Sequence, residues 1–143
     1  MSNTLPPASI VVSVPAALMT FLAIDFGLKR TGVAVGNRLM RSAQSVGTVK
    51  AEGDARFVLL EKHLTEWQPD AIVIGVPYHP DGAPHENTAR AKKFGRQMHG
   101  RFALPVFEVD ERYSTTEALA SGAKDADAAS ACIILEQFLR SLP

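Results

Sequence analysis

The stretch that decides the fold is FLAIDFG, at residues 21–27. Its apolar residues lead directly into Asp25, and Gly27 follows two positions later. The apolar run predicts a buried strand, and a carboxylate at the end of such a strand must be solvated, paired or bound to a cation. Asp-x-Gly is also a common way to leave a strand through a turn. The strand therefore ends either in an ordinary turn or in a cation site, where Gly27 would let a phosphate approach closely.

Charge is balanced over the chain but unevenly distributed along it. The 143 residues, enough for one domain with a hydrophobic core, contain 15 Lys and Arg and 15 Asp and Glu. Residues 85–101 hold five bases and one acid, whereas residues 103–143 hold seven acids and three bases. The first segment could therefore meet an anion, and the second could hold a cation.

The cysteine content and the N-terminal residues indicate the cellular compartment of the protein. Cys132 is the only cysteine, so the chain can form no internal disulfide and suits a reducing cytosol. Residues 1–20 carry no charged side chain, and prolines at 6, 7 and 15 interrupt every apolar stretch there. We interpret residues 1–20 as an irregular N-terminal extension, and we expect a cytoplasmic protein without a membrane span.

Hydrophobic patterning predicts the element order β-β-β-α-β-α-β-α-α. The strands are predicted at 21–27, 31–37, 43–49, 70–77 and 104–111. The helices are predicted from 52–54 up to Pro69, over 85–101, from Ser114, and over Asp127–Arg140. A hairpin followed by βαβ units implies an α/β fold with a mixed five-stranded sheet and helices on both faces.

Acidic residues fall at strand ends and helix starts, where sites gather in such sheets. Asp25 ends the first strand, Asp110 and Glu111 end the fifth, and Asp125 or Asp127 begins the last helix. Each has an ordinary explanation as a turn residue, a solvated strand end or a helix N-cap. Carboxylates that lie together, however, repel each other unless cations intervene. Mg²⁺ accepts such ligands, and two ions about 4 Å apart can stabilise both oxygens of a phosphodiester displacement.

Basic residues are candidates for contacts with a phosphate backbone. Arg112 directly follows the acids of the fifth strand, and its alternative role is a surface ion pair. Arg90, Lys93 and Arg101 recur at helical spacing on the predicted helix 85–101, where the alternative is a solvated helix face. No pair of histidines has the spacing of zinc ligands, so a zinc site is not expected.

Four blocks of sequence carry a family resemblance. They are DFG at 25–27 with TGVAVG at 31–36, GVPYHPDG at 75–82, DERYST at 110–115 and DAASA at 127–131. In this order they resemble the YqgF family, bacterial proteins similar to Holliday-junction resolvases. The family has an RNase H-like fold, and its members are described as nucleases that process the 5′ end of pre-16S ribosomal RNA. Each block is weak alone, but four in register are specific.

The resemblance implies an RNase H-like nuclease domain over residues 21–143 that depends on Mg²⁺ or Mn²⁺, with two ions expected. Asp25, Glu111 and Asp127 would be both the catalytic and the metal-binding residues, with Asp25 bridging the ions. Asp127 is preferred to Asp125 because DAASA fits the family block. The expected partner is nucleic acid, RNA before DNA, in ribosomal precursor particles. A monomer is favoured because no exposed aromatic stripe marks a dimer interface.

Two departures from the family pattern leave alternatives open. The extension over residues 1–20 is additional, and only eight residues separate Ala118 from Asp127, where the family commonly has a longer segment. The first alternative is a Holliday-junction resolvase-like DNA nuclease. The second is a non-catalytic RNA-binding module for ribosome assembly. The phosphate-binding domain of actin-like ATPases and sugar kinases also uses an Asp-x-Gly hairpin, but it needs a second domain to form its cleft.

Overall fold

A computed structural model describes residues 14–111, 122 and 124–143 of the chain. Within these residues the strands are β1 (Thr20–Asp25), β2 (Arg30–Asn37), β3 (Ser42–Lys50), β4 (Ala71–Val76) and β5 (Val106–Asp110). The helices are α1 (Gly53–Trp67), α2 (Thr88–Phe102) and α3 (Ala126–Ser141). The sheet order is β3-β2-β1-β4-β5. The first three strands pair antiparallel, while β1, β4 and β5 pair parallel, so the predicted mixed five-stranded sheet is confirmed.

Helices cover both faces of this sheet, as the sequence predicts. On one face α1 and α2 enclose a core that includes Phe57 and Phe94, whose rings stack with centroids 5.5 Å apart. On the other face α3 encloses a second core that includes Ile134 and Phe138. We call these the α1/α2 face and the α3 face. The interior strand β4 lies between them and is buried along its whole length.

The starts of β1 and β4 are fastened together by Asp70. Its carboxylate accepts the backbone N–H groups of Met19 at 2.8 Å and Thr20 at 3.0 Å. These hydrogen bonds, first that from Thr20 and then that from Met19, lower the pKa of Asp70. The parallel register that follows pairs Ile24 with Ile74, so the carboxyl ends of β1 and β4 lie side by side.

Two helices begin at other residues than predicted. α2 begins at Thr88 instead of residue 85, because the preceding residues belong to the loop that follows β4. The backbone N–H of His85 donates to Thr88 Oγ1 at 2.8 Å, and this hydroxyl donates to the Pro77 carbonyl. α3 begins at Ala126, one residue early. The predicted short helix from Ser114 lies outside the described residues.

The predicted extension over residues 1–20 is described from Val14 onwards. Residues 14–19 form neither helix nor strand, and Thr20 already belongs to β1. Val14 and Leu18 pack against the core of the α3 face, so this part of the extension is attached to the domain. No helix in the described part of the chain is long and apolar enough to cross a membrane.

Candidate functional site

Asp25 lies at the edge of the sheet where β1, β4 and β5 all end. Side chains alternate between the two faces of a strand. Phe21 and Ala23 belong to the core of the α3 face, whereas Ile24 belongs to the opposite core. Asp25 therefore projects to the α3 face. Its Cα pairs with that of Gly32 on β2.

Glu111 follows β5, and its carboxylate lies over β4. The residue is only 9% exposed, and its backbone N–H donates to the Val76 carbonyl at 3.0 Å. A Cβ on Gly75 would lie 2.3 Å from Glu111 Oε2 and 2.6 Å from Ile134 Cδ1. Because Ile134 belongs to α3, the Glu111 carboxylate also lies on the α3 face. A glycine at position 75 is what leaves room for it.

The neighbouring acid, Asp110, has the opposite orientation. Phe107 and Val109 pack in the core of the α3 face, so alternation directs Asp110 to the α1/α2 face. Asp110 is also exposed, whereas Glu111 is buried. Of the two acids at the end of β5, Glu111 is therefore the one that shares a face with Asp25.

Asp127 lies in the first turn of α3, which rests directly on β2. A Cβ on Gly32 would lie 1.9 Å from the Asp127 carbonyl oxygen and 3.0 Å from the Ala128 nitrogen. The helix start thus approaches the strand at a glycine, and this glycine is the residue paired with Asp25. The contact brings Asp127 to the same edge and the same face as Asp25 and Glu111.

Asp125, the other acid at the start of α3, is the N-cap. Its side chain accepts the Thr48 hydroxyl at 2.5 Å and the Ala128 backbone N–H at 3.1 Å. The hydrogen bond from Thr48 is the main cause that lowers the pKa of Asp125. Asp125 therefore fixes the start of the helix to β3, whereas the Asp127 side chain makes a different contact.

That contact is with Arg30, which was not among the sequence-predicted site residues. Arg30 Nη2 lies 2.7 Å from Asp127 Oδ2, and Arg30 Nε donates to the same oxygen at 2.8 Å. The sequence contains a signal for Arg30. It follows Asp25 by only five residues, and so short a turn keeps it near the end of β1.

Gly27 serves the turn that carries Arg30. A Cβ at position 27 would lie 2.4 Å from the Arg30 carbonyl oxygen. The interpretation that Gly27 leaves space for a phosphate is therefore corrected, because the backbone of Arg30 occupies this space. The ordinary alternative, a glycine required by the turn, is the one that the packing supports.

Arg56 supports the same turn from the α1/α2 face. Only 6% of this residue is exposed, and its guanidinium lies 4.7 Å from the Phe26 ring and 5.5 Å from the Phe94 ring. Arg56 Nη2 donates to the Leu28 carbonyl. Burial lowers the pKa of Arg56. Nothing in the sequence indicates this role, since an arginine beside apolar helix positions usually lies at the surface.

The predicted phosphate-binding residues of α2 lie on the other face of the sheet from the acids. Arg90 and Lys93 are exposed, and Arg90 Nη1 donates to Asn87 Oδ1 at 3.1 Å. They lie towards the start of α2, which follows the loop from the end of β4, so they are on the side of the acid edge. Arg112 lies outside the described residues.

Arg101 has a different setting. It lies about 16 Å along the helix axis from Arg90, at the end of α2 away from the acids. Its guanidinium pairs with Asp54 Oδ1 at 2.9 Å and lies 4.0 Å from the Phe57 ring, so it joins α2 to α1. The structure does not bring Arg101 together with Asp25, Glu111 and Asp127.

The three acids share one edge and one face of the sheet, but their side chains do not form a set of metal ligands. In the part of the chain that the structure describes, no group of three or more His, Cys, Asp or Glu side chains could hold a metal ion. Carboxylate oxygens nevertheless fit a hard divalent cation, and Gly75 keeps the place of the Glu111 carboxylate open. Asp25, Glu111 and Asp127 are the residues that could hold a cation at this edge.

Comparison with known proteins gives a family and close relatives. The model of the family described as "RuvX: Holliday junction resolvase" matches residues 19–141. A protein of Albidiferax ferrireducens is 71% identical over 136 residues, which cover 95% of this chain and 87% of that protein. A protein of Polaromonas sp. is 70% identical over 128 residues, covering 90% of this chain and 93% of that protein. Both bear the name "Putative pre-16S rRNA nuclease".

Two solved structures share the fold. Thermus thermophilus RuvC in complex with Holliday junction substrate matches with a TM-score of 0.55 at 15% identity, over 86% of this chain and 94% of that chain. Fowlpox virus resolvase in complex with Holliday junction DNA matches with a TM-score of 0.50 at 13% identity, over 85% and 99%. The predicted RNase H-like fold is thereby confirmed.

Proposed function

Since the chain belongs to the RuvX family and is a nuclease that hydrolyses phosphodiester bonds, we propose that it cleaves pre-16S ribosomal RNA near the 5′ end of the mature sequence. The two relatives described above, named for pre-16S rRNA, align over at least 87% of their own length. Identity of about 70% over almost the whole chain makes a shared substrate the simplest assumption.

The observation that supports the proposed chemistry is that Asp25, Glu111 and Asp127 share one edge and one face of the sheet. These acids come from positions that are far apart in the chain. Crowded carboxylates cost free energy unless cations neutralise them. Divalent cations bound at this edge, Mg²⁺ or Mn²⁺ and two in number, would stabilise the attacking and leaving oxygens of the phosphodiester.

Each acid has a distinct position in this proposal. Asp25 is on the strand between β2 and β4, so it stands in the middle and would contact both ions. Glu111 reaches the site from the side of β4, and Asp127 reaches it from the side of β2. All three would serve as ligands. The backbone contact at Gly32 positions Asp127, and the space above Gly75 accommodates the Glu111 carboxylate.

Basic side chains would hold the RNA backbone. We assign this role to Arg90, Lys93, Arg101 and Arg112, the predicted phosphate contacts. Arg90 and Lys93 have the most favourable position, because they are exposed near the acid edge. Arg101 would contribute only to a substrate that continues along α2, since it lies at the far end of this helix.

A four-way DNA junction is the second candidate substrate, and the description of the family model favours it. Resolution of a junction requires two coordinated cuts, hence a dimer with two sites at a fixed distance. A single site that reads a flexible strand needs only the carboxylates and nearby bases. We therefore propose a monomer acting on RNA in ribosomal precursor particles.

The test is a paired measurement of substrate preference. Purified protein is incubated with a pre-16S rRNA fragment and with a four-way DNA junction, each with Mg²⁺, with Mn²⁺ or with EDTA. We expect faster cleavage of the RNA, no cleavage in EDTA, and a monomer by light scattering. A stable dimer that nicks junctions symmetrically, and faster than it cuts RNA, would assign the chain to DNA resolution. RNA binding without cleavage under every metal condition would instead indicate a non-catalytic assembly module.

A further inference from the structure

Arg30 and Asp127 form an ion pair inside the proposed metal site. Both hydrogen bonds of the guanidinium fall on one carboxylate oxygen, Oδ2, at 2.7 Å and 2.8 Å. The Asp127 side chain is 29% exposed and that of Arg30 is 59% exposed. The pair thus lies at the surface of the site, where the guanidinium can move away without unfolding a neighbouring element.

A guanidinium and a divalent cation compete for the same carboxylate oxygen. Mg²⁺ binds oxygen at about 2.0–2.1 Å and requires near-octahedral geometry, which two N–H donors on the same oxygen obstruct. The two positive charges also repel each other at such short separation. Oδ2 of Asp127 can therefore bind Arg30 or a metal ion, but not both, and charge repulsion also opposes a cation on Oδ1.

We propose that Arg30 is an internal competitor for Asp127, and that a divalent cation displaces it when it takes Oδ2 as a ligand. Arg30 then acts as a positioning residue. It keeps the Asp127 carboxylate near Asp25 and Glu111 and neutralises one negative charge of the three. The inference rests on the proposed function, because it takes Asp127 to be a metal ligand.

The turn between β1 and β2 fixes the backbone of Arg30. Arg30 begins β2, and the close approach of its carbonyl oxygen to Gly27 fixes its backbone. On the other side of the turn, Arg56 binds the Leu28 carbonyl and contacts the Phe26 ring. Displacement of Arg30 from Asp127 is therefore a movement of the side chain, and the fold and the site backbone stay unchanged.

The test is a measurement of metal affinity that does not depend on cleavage. Mn²⁺ binding is measured by isothermal titration calorimetry, and free Mn²⁺ by electron paramagnetic resonance, for the wild type, Arg30→Gln and Lys29→Gln. Lys29 is the matched control, because it is an exposed base one residue away that has no ion pair with a described residue. Circular dichroism checks that each variant is folded.

We expect Arg30→Gln to bind Mn²⁺ about two- to fivefold more tightly than Lys29→Gln, the range set by the strength of a partly exposed ion pair. The same substitution in an Asp127→Asn background should give no such gain, because there is no carboxylate to release. An equal gain in both backgrounds, or weaker binding by Arg30→Gln than by Lys29→Gln, would overturn the competition. Wild-type binding that Asp25→Asn and Asp127→Asn leave unchanged would overturn the proposed metal site itself, and the competition with it.

Discussion

The two faces of the sheet are packed by different means. On the α3 face the helix meets the backbone of β2 at Gly32, where an added Cβ would lie 1.9 Å from the Asp127 carbonyl oxygen. On the α1/α2 face large side chains such as Phe57 and Phe94 fill the space between helices and sheet. Backbone contacts leave little freedom in the spacing of the elements. The face with tighter packing is thus the one that carries the acids.

Charged groups also differ between the faces. On the α1/α2 face ion pairs join neighbouring elements, as in Arg101 with Asp54 and Lys92 with Glu108. The hydrogen bond to Glu108 is the main cause that raises the pKa of Lys92. On the α3 face the Arg30–Asp127 pair also joins two elements, but it lies at the edge that carries Asp25 and Glu111. The difference is that carboxylates of separate elements share one edge only on the α3 face.

The largest effect is expected from a substitution that disrupts the close packing of the α3 face. In Gly32→Ala the new Cβ would clash with the backbone of Asp127, so the start of α3 must move by more than about 1 Å. Overpacking of this kind costs about 1–3 kcal/mol of unfolding free energy. A shift of this size at a ligand lowers the cleavage rate about 100-fold. Urea unfolding and single-turnover cleavage measure the two effects.

Gly100→Ala is the matched control on the other side of the molecule. Gly100 lies in α2, and an added Cβ would meet nothing within 4 Å. This variant should gain about 0.5–1 kcal/mol through the better helix propensity of alanine and cleave like the wild type. If Gly32→Ala also leaves stability and cleavage unchanged, the glycine contact does not position Asp127.

Gly75→Ala should reduce cleavage with a smaller loss of stability than Gly32→Ala. Its Cβ would clash chiefly with the end of the flexible Glu111 side chain, which can swing away, and with Ile134 Cδ1. The stability loss should therefore fall at the lower end of about 1–3 kcal/mol. Cleavage should drop about 100-fold, because the carboxylate leaves its place. A variant with wild-type cleavage at saturating Mg²⁺ would remove Glu111 from the ligand set.

The smallest effect is expected on the α1/α2 face. Replacing Lys93 and Arg101 by Gln should weaken RNA binding uniformly across sequences. It should also flatten the plot of log affinity against log salt by roughly one to two units, about 0.7–0.9 for each lost contact. Filter binding at four salt concentrations provides the slopes. The single variant Arg101→Gln distinguishes an RNA contact from a structural contact. An unchanged slope with reduced thermal stability would assign Arg101 solely to its contacts with α1.

The strands, and the edge shared by Asp25 and Glu111, could be predicted because both follow from local patterns. Apolar runs marked the strands, and acids at the ends of β1 and β5 had to lie at one edge once β1, β4 and β5 paired parallel. Asp110 and Glu111 show the limit of this reasoning. Their separation between the two faces depends on the register of β5 and on the space at Gly75, which only the folded chain reveals.

Arg30 and Arg56 were not predicted as site residues. The position of Arg30 near Asp25 was a signal, but its partner and the role of Arg56 arise from turn geometry. One arginine pairs with an acid 97 positions away, and the other binds a backbone carbonyl, which leaves no mark in the sequence. The start of α2 was misplaced for a similar reason. The hydroxyl of Thr88 binds the loop after β4, so three residues with helical composition remain outside the helix.

The most direct test of the central claim compares two carboxylates from opposite faces of the same edge. The rate of pre-16S rRNA cleavage is measured against Mg²⁺ concentration for the wild type, Asp25→Asn and Asp110→Asn. We predict that Asp25→Asn lowers the rate at least about 100-fold while retaining its fold, because the amide removes a charged ligand oxygen. Asp110→Asn should cleave like the wild type, because its side chain projects to the α1/α2 face. Equal rates for Asp25→Asn and the wild type, or an equal loss in both variants, would contradict a metal-dependent site on the α3 face.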